Sequence, residues 1–342
     1  MELSGTVLRG PDFEPITGRV VVEDGEITAV EETTDGVGDD VILPAFVNAH
    51  THIGDSIAKE AGRGLSLDEL VAPPDGLKHQ LLRESDREAK VDAMRRSLRF
   101  MEAAGTAAHV DFREGGVAGV EALREAGAGL DIRSVAFGRD DDAVLDVADG
   151  YGASGARDRE FATIRNAVRR AGKPFGIHAG ERDSADVNPA LDLDPDHLVH
   201  MVHATDLHIE RIGDSGIPVV ACPRSNLVTG VGLPPLGDLV DATTVALGTD
   251  NVMLNGPSMF REMEFAAKCC DVDAVEVLRM ATVNGARVAG MDGGIVDAGQ
   301  PARLLVLDGD SDNLAGYRDP VRAVVRRAGA SDVARVVLPA NS

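Results

Sequence analysis

His50-Thr51-His52, His178-Ala-Gly-Glu181, His200 and Thr249-Asp250 are the residues whose types and spacing could do chemistry in this chain. Histidine and aspartate are ligands a catalytic zinc takes, and a glutamate beside them can carry protons. Two histidines at i and i+2 project from the same side of a β-strand, so one strand end can offer both imidazoles to one cation. The apolar run 41–47 ahead of them reads as a buried strand and sets the pair at its C-terminal end. His178 ends another such run, and Glu181, three residues on, can sit beside a metal without ligating it. His200 falls toward the end of a further run, and Asp250 closes Val245-Ala-Leu-Gly-Thr-Asp250. His50, His52, His178 and Asp250 are thus the expected ligands of one divalent metal, with Glu181 and His200 as catalytic groups. The bland reading, satisfied polar groups in a core, needs chance placement at four strand ends.

These residues require a scaffold that brings distant strand ends to one rim. Strands are expected at 45–52, 106–111, 132–137, 147–152, 174–179, 197–203, 217–222 and 243–249. Charged amphipathic stretches such as 86–104, 157–172 and 206–215 lie between them, and 259–270 and 274–290 also read as helices. Eight βα alternations predict an α/β fold, a distorted (β/α)8 TIM barrel, over 44–298; such barrels keep their chemistry at the C-terminal ends of the strands. A doubly wound open sheet is the runner-up. Residues 1–43 instead show short β-like runs at 6–9, 18–22 and 26–30, and β texture returns at 302–307, 321–325 and 333–338. The two ends, 1–43 and 299–342, are expected to form one small composite β-sandwich domain. The acidic stretch 308–313 resembles a calcium loop only superficially, because no glutamate closes it.

Composition narrows the partners. With 57 acidic against 34 basic residues the formal net charge is −23, which argues against nucleic acid or an anionic membrane. The chain holds five lysines and is rich in alanine and valine, a composition similar to that of proteins from salt-accumulating archaea. Cys222, Cys269 and Cys270 have no disulfide-framework spacing, so a reducing, cytoplasmic setting is expected. No leader pattern follows Met1, and no apolar run approaches the roughly 18 residues of a membrane span. A small molecule is the expected partner, and assembly into a homo-oligomer is left open.

Taken with Leu43-Pro-Ala-Phe-Val-Asn-Ala-His-Thr-His52, the set resembles the amidohydrolase superfamily. His178-Ala-Gly-Glu181 is similar to the H-x-x-E of its adenosine, cytosine and S-adenosylhomocysteine deaminases, and His200-Met-Val-His203 to their sixth-strand histidine motif. Cys222-Pro-Arg-Ser-Asn226 resembles the segment after the seventh strand, and Gly248-Thr-Asp250 the metal aspartate. Ala281-Thr-Val-Asn-Gly-Ala-Arg287 and the stretch 299–308 look like the return into the β-sandwich of the triazine hydrolase and cytosine deaminase branch. The resemblance implies that His50, His52, His178 and Asp250 bind the metal, that Glu181 shuttles protons and that His200 orients and polarises a metal-bound hydroxide. His203 matches the second histidine of its motif. Two-metal branches use a carboxylated lysine on the fourth strand, and none lies near 147–152, so the resemblance implies one metal. Zinc is the default; iron or manganese fits the same ligands.

The implied activity is an aminohydrolase: attack on an amidine carbon of an amino-substituted heterocycle, with release of ammonia. Cleavage of a cyclic amide or displacement of chloride from a triazine is the alternative on the same fold, and a non-catalytic scaffold the remote one. With no tryptophan and two tyrosines, the chain has little aromatic surface to stack on a purine. Asp111-Phe112-Arg113-Glu114 is the local candidate for substrate recognition. Arg113 either pairs with a substrate oxygen or bridges Asp111 or Glu114, and Asn255 and Ser258 are placed to face the pocket. His79 and His208 read as residues of polar helix faces, His109 as the one further histidine able to reach the barrel interior, and Cys222, Cys269 and Cys270 as packing residues.

Overall fold

A computed structural model describes residues 1–339. Strands β1 (Glu2–Arg9), β2 (Glu14–Glu23), β3 (Glu26–Glu32) and β4 (Val41–Pro44) open the chain. Nine strands follow: β5 (Phe46–His52), β6 (Thr106–Arg113), β7 (Arg133–Gly138), β8 (Gly150–Ala153), β9 (Phe175–Ala179), β10 (His197–His200), β11 (Val219–Ala221), β12 (Val245–Leu247) and β13 (Asp250–Asn251). Strands β14 (Leu304–Leu307) and β15 (Val333–Val337) end it. The middle nine form one parallel sheet in the order β12-β11-β10-β9-β8-β7-β6-β5-β13. The eighth barrel strand is broken: β12 pairs with β11, while β13 pairs with β5 on the far edge, and this closes the barrel. A Cβ at Gly248, in the break, would lie 2.7 Å from the Cβ of His50, so only glycine lets this strand cross against β5.

The other six strands form a second sheet, β15-β14-β4-β1-β2-β3, drawn from both ends of the chain. One face buries Val7, Val20, Ile42, Leu304 and Val306 as its own core. The apolar run 41–47 is not one strand. The Ala45 N–H still bonds to Arg303 O (2.9 Å), whereas the next N–H, of Phe46, bonds to Gly105 O (2.8 Å), so the chain changes sheets between these residues.

The run 321–325, expected as a strand, is part of the helix Pro320–Arg326. Asp319 caps it by accepting from the Arg322 N–H, Pro320 takes the first turn, and Val321, Val324 and Val325 are buried at helical spacing. The fourth barrel strand starts later than expected, at Gly150, because Asp149 makes a two-bond clasp to Ala136 through its carboxylate and its own N–H. The apolar stretch 274–290 divides into Ala274–Ala281 and Val283–Val288 at Thr282, whose hydroxyl donates back to Leu278 O. Among the described residues no helix is long and apolar enough to cross a membrane.

Between β5 and the helix Arg87–Ala103 the chain inserts residues 53–86, with short helices Leu67–Val71 and Leu77–Glu84. Leu67, Val71 and Pro73 of this insertion line a cleft of about 700 Å³, its open mouth included, whose inner wall is the C-terminal rim of the barrel.

Candidate metal centre

His50 and His52 end β5, His178 lies in β9, His200 ends β10 and Asp250 opens β13, so four different strands deliver these side chains to one rim. His200 (φ +80°) and Asp250 (φ +58°) are held in the left-handed region, which costs non-glycine residues of order 1–3 kcal/mol each. Gly180 (φ +63°), fixed by donation of its N–H to Asp186 Oδ1 (2.9 Å), turns the chain so that Glu181 comes back over the same rim.

The hydrogen bonds fix the tautomers. His52 Nδ1–H donates to Phe112 O (3.0 Å) and Glu114 Oε1 (2.8 Å), and His178 Nδ1–H donates to Ala153 O (2.8 Å). Both Nε2 atoms are then bare lone pairs, and they face each other 3.3 Å apart. Burial keeps both rings neutral: it lowers His178 well below the ordinary histidine value, and with the Lys78 charge lowers His52 to about 3. Two facing lone pairs repel unless a cation lies between them. His50, fully buried, has no hydrogen-bond partner on either ring nitrogen among the described residues, although its Nε2 lies 3.4 Å from Asp250 Oδ1. Asp250 Oδ1 is also 3.7 Å from His52 Nε2. A tetrahedral metal with bonds of about 2.0–2.1 Å has ligand edges of about 3.3–3.4 Å, close to the observed spacings. His50, His52 and Asp250 have ligand atoms within 4.8 Å of one another, as do His50, His178 and His200, so the donor set on this rim fits a divalent ion.

Their supports come from further strand ends. Ser225 Oγ–H donates to Asp250 Oδ2 (2.6 Å) and Asn251 Nδ2–H to Oδ1 (3.0 Å). Asn226 Nδ2–H donates to His200 Nδ1 (3.0 Å), which leaves the His200 proton on Nε2. That N–H lies 3.5 Å from Glu181 Oε2. Burial raises the Glu181 carboxyl above its ordinary value, and the side chain lines the cleft.

The remaining expected residues are elsewhere. Arg113 is buried with its guanidinium on Glu114 (2.6 Å) and Asp111 (3.4 Å), and it does not line the cleft; of its two readings the structure has the bridge. His203 gives its backbone N–H to Gly180 O, and its ring is not part of the cleft wall. Asn255 Oδ1 accepts from Arg224 (3.1 Å) away from the cleft, and Ser258 caps the helix Met259–Cys269. His208 is buried rather than on a polar face, its Nδ1 against Thr205, and Cys269 is exposed rather than packed. His109 does not reach the barrel interior: it alternates with Ala108 and Val110, which face inward, and lies between Thr51 and Ser134 on the helix side of the sheet, whereas His197 packs inside against Phe112 and Phe137. Sequence reasoning missed Lys78, which lines the cleft, and Glu114 as the partner of His52. Scarcity was the one available signal for Lys78: of five lysines it alone is buried.

The amidohydrolase family model matches residues 41–338. The chain belongs to the amidohydrolase family. As a hydrolase of that family it is similar to a protein named aminohydrolase from Methanothermobacter thermautotrophicus, 35% identical over 98% of this chain and 96% of that one. It is also similar to the 5-methylthioadenosine/S-adenosylhomocysteine deaminase of Haloarcula marismortui, at 30% identity over 97% and 90% of the two chains. Among solved structures, a zinc-bound adenosine deaminase from Xanthomonas campestris aligns with TM-score 0.80 at 20% identity, covering 99% of this chain and 91% of that one. The atrazine chlorohydrolase of Arthrobacter aurescens, complexed with zinc, aligns with TM-score 0.83 at 19% identity, covering 99% and 94%. These two likenesses establish the distorted barrel with its smaller β domain.

Proposed function

We propose that this amidohydrolase is a zinc-dependent aminohydrolase that removes ammonia from an amidine carbon of an amino-substituted heterocycle. The observation that carries the proposal is the pair of bare Nε2 atoms of His52 and His178, 3.3 Å apart, beside Glu181 and His200 on one cleft wall. His50, His52, His178 and Asp250 would hold the ion. The zinc of the two structural neighbours and the deaminase names of the relatives support this reading. Strand β8, Gly-Tyr-Gly-Ala, offers no lysine to bridge a second ion, which supports a count of one.

When bound, zinc acts as a Lewis acid and lowers the pKa of a water molecule to near 7. Glu181 takes a proton from the attacking water and delivers it to the ring nitrogen next to the amidine carbon. Its raised pKa suits both halves of that transfer. His200 Nε2–H, aimed by Asn226, donates to the oxygen being added and so stabilises the negative charge that gathers there. Glu181 then takes the proton of the added hydroxyl and passes it to the amine, which leaves as ammonia. The exposed Arg182–Asp68 ion pair ties the loop after β9 to the insertion that covers the cleft.

The test is ammonia release by the zinc-loaded protein from a panel of nucleobases, nucleosides, pterins and guanidino compounds, run beside Glu181→Gln. Turnover of at least one aminoheterocycle by the wild type and none by the variant is expected. Release of chloride from a triazine, or ring opening of a cyclic amide, without ammonia release from any aminoheterocycle would overturn the deaminase reading.

A further inference from the structure

Lys78 has no role in the chemistry above, yet it is the one basic side chain of the covering insertion that is buried beside the metal ligands, in the neighbourhood of the insertion's buried Asp55. Lys78 is 2% exposed. Its Nζ–H groups donate to Glu114 Oε1 (2.6 Å) and Asn251 Oδ1 (3.0 Å). The same Glu114 oxygen accepts from His52 Nδ1 (2.8 Å), and Asn251 Nδ2–H donates to Asp250 Oδ1 (3.0 Å). Asp250 Oδ1 in turn lies 3.7 Å from His52 Nε2. These contacts make a ring that runs from Lys78 through Glu114 to His52, across to Asp250, and back through Asn251. Its other members come from β5, β13 and the end of β6; Lys78 alone comes from the insertion 53–86.

We propose that Lys78 is a positioning residue for the metal centre: its ammonium sets Glu114 against His52 and Asn251 against Asp250, so that the covering insertion must be seated before the ligands take their final geometry. This rests on the assignment of His52 and Asp250 as ligands, not on the identity of the substrate. Two effects of the ammonium oppose each other. As a cation near a dication it weakens metal binding, whereas as a double donor it fixes two ligand supports. The second effect dominates here. Glu114 spreads its charge over Lys78, His52, Arg113 and Arg139, which mutes the repulsion, while without Lys78 the Asn251 Oδ1 would lose its donor and the amide with it the orientation that lets Nδ2 reach Asp250. His52 keeps Phe112 O as a second acceptor, so the Asp250 arm carries most of the effect.

The experiment compares full-length wild type with Lys78→Met, Lys78→Arg and Asn251→Ala. Each is stripped of metal and titrated with zinc against a competing chelating dye, and folding is checked by near-UV circular dichroism. Lys78→Met should bind zinc about tenfold more weakly, the lower end of the 10–100-fold seen when supports of metal ligands are lost. Lys78→Arg, able to reach both acceptors, should recover most of that loss. Asn251→Ala should show a similar loss, and adding Lys78→Met to it should cost little more. Zinc affinity unchanged or tighter in folded Lys78→Met would overturn the proposal, and so would a loss that Lys78→Arg fails to recover. If Lys78→Met does not fold, Asn251→Ala decides: zinc affinity equal to wild type overturns it. Wild type that binds no zinc would refute the metal assignment itself, an outcome distinct from any change among variants.

Discussion

Two buried polar clusters sit side by side at the C-terminal rim of the barrel, and they are satisfied in opposite ways. In one, Arg113, Glu114, Asp111 and Lys78 exhaust each other: every charge has an opposite charge within 3.4 Å. In the other, the His50 ring nitrogens have no partner closer than Asp250 Oδ1 at 3.4 Å from Nε2 among the described residues, and His52 and His178 point bare nitrogens at each other. Both clusters are almost wholly buried, so exposure does not distinguish them; valence does. A saturated cluster is scaffold, and a cluster with convergent unfilled lone pairs is built for a ligand the chain itself does not supply.

The comparison breaks most visibly at the ligands. His178→Ala and Asp250→Ala should each leave protein that holds little or no zinc after gel filtration and has no measurable turnover, read by elemental analysis and ammonia release. Glu181→Gln should separate the two properties: zinc stays stoichiometric while kcat falls by about 10² to 10⁴, the worth of a positioned proton carrier. Turnover within about tenfold of wild type would remove Glu181 from the mechanism. At Arg113, which pairs with Asp111 and Glu114 rather than with a ligand, the signs reverse. Arg113→Met leaves Asp111 and Glu114 each short of a partner, and breaking such a buried pair costs about 3–5 kcal/mol of stability. Chemical denaturation should report that loss, while the folded fraction keeps its zinc.

How far this division was legible beforehand depended on local pattern. The convergence of the proposed ligands was legible because i, i+2 histidines and strand-end polar residues obey the period of a strand. The saturated cluster did not, since Lys78 finds Glu114 and Asn251 only in the folded chain, the latter 173 residues away. Arg113 was visible as a polar residue at a strand end, but its direction was not, because either outcome pairs the same guanidinium with oxygen. The barrel order followed from alternation. The helix Pro320–Arg326 was misread as a strand because Val321, Val324 and Val325 also fit a short apolar run, and the Asp319-Pro320 start signal was passed over. The change of sheet at Ala45 lies inside the continuous apolar run 41–47, since both sheets bury apolar residues on either side of it.

The smallest expected effect concerns the surface rather than either cluster. We propose that the charge of −23 is an adaptation to a salt-rich cytoplasm. At 0.01 M salt the Debye length is about 30 Å, so carboxylates repel across much of the molecule. The melting temperature should rise as potassium chloride is raised to molar levels. A flat or falling melting temperature would refute the salt-adapted reading and leave the metal centre untouched.

The central claim is that one divalent ion joins His50, His52, His178 and Asp250. Anomalous diffraction from crystals of the zinc-loaded protein, collected on both sides of the zinc edge, tests it directly. A single peak among the three Nε2 atoms and the Asp250 carboxylate is expected. Two peaks about 3.5 Å apart, the spacing of two-metal hydrolases, or no peak within reach of these four residues, would contradict it.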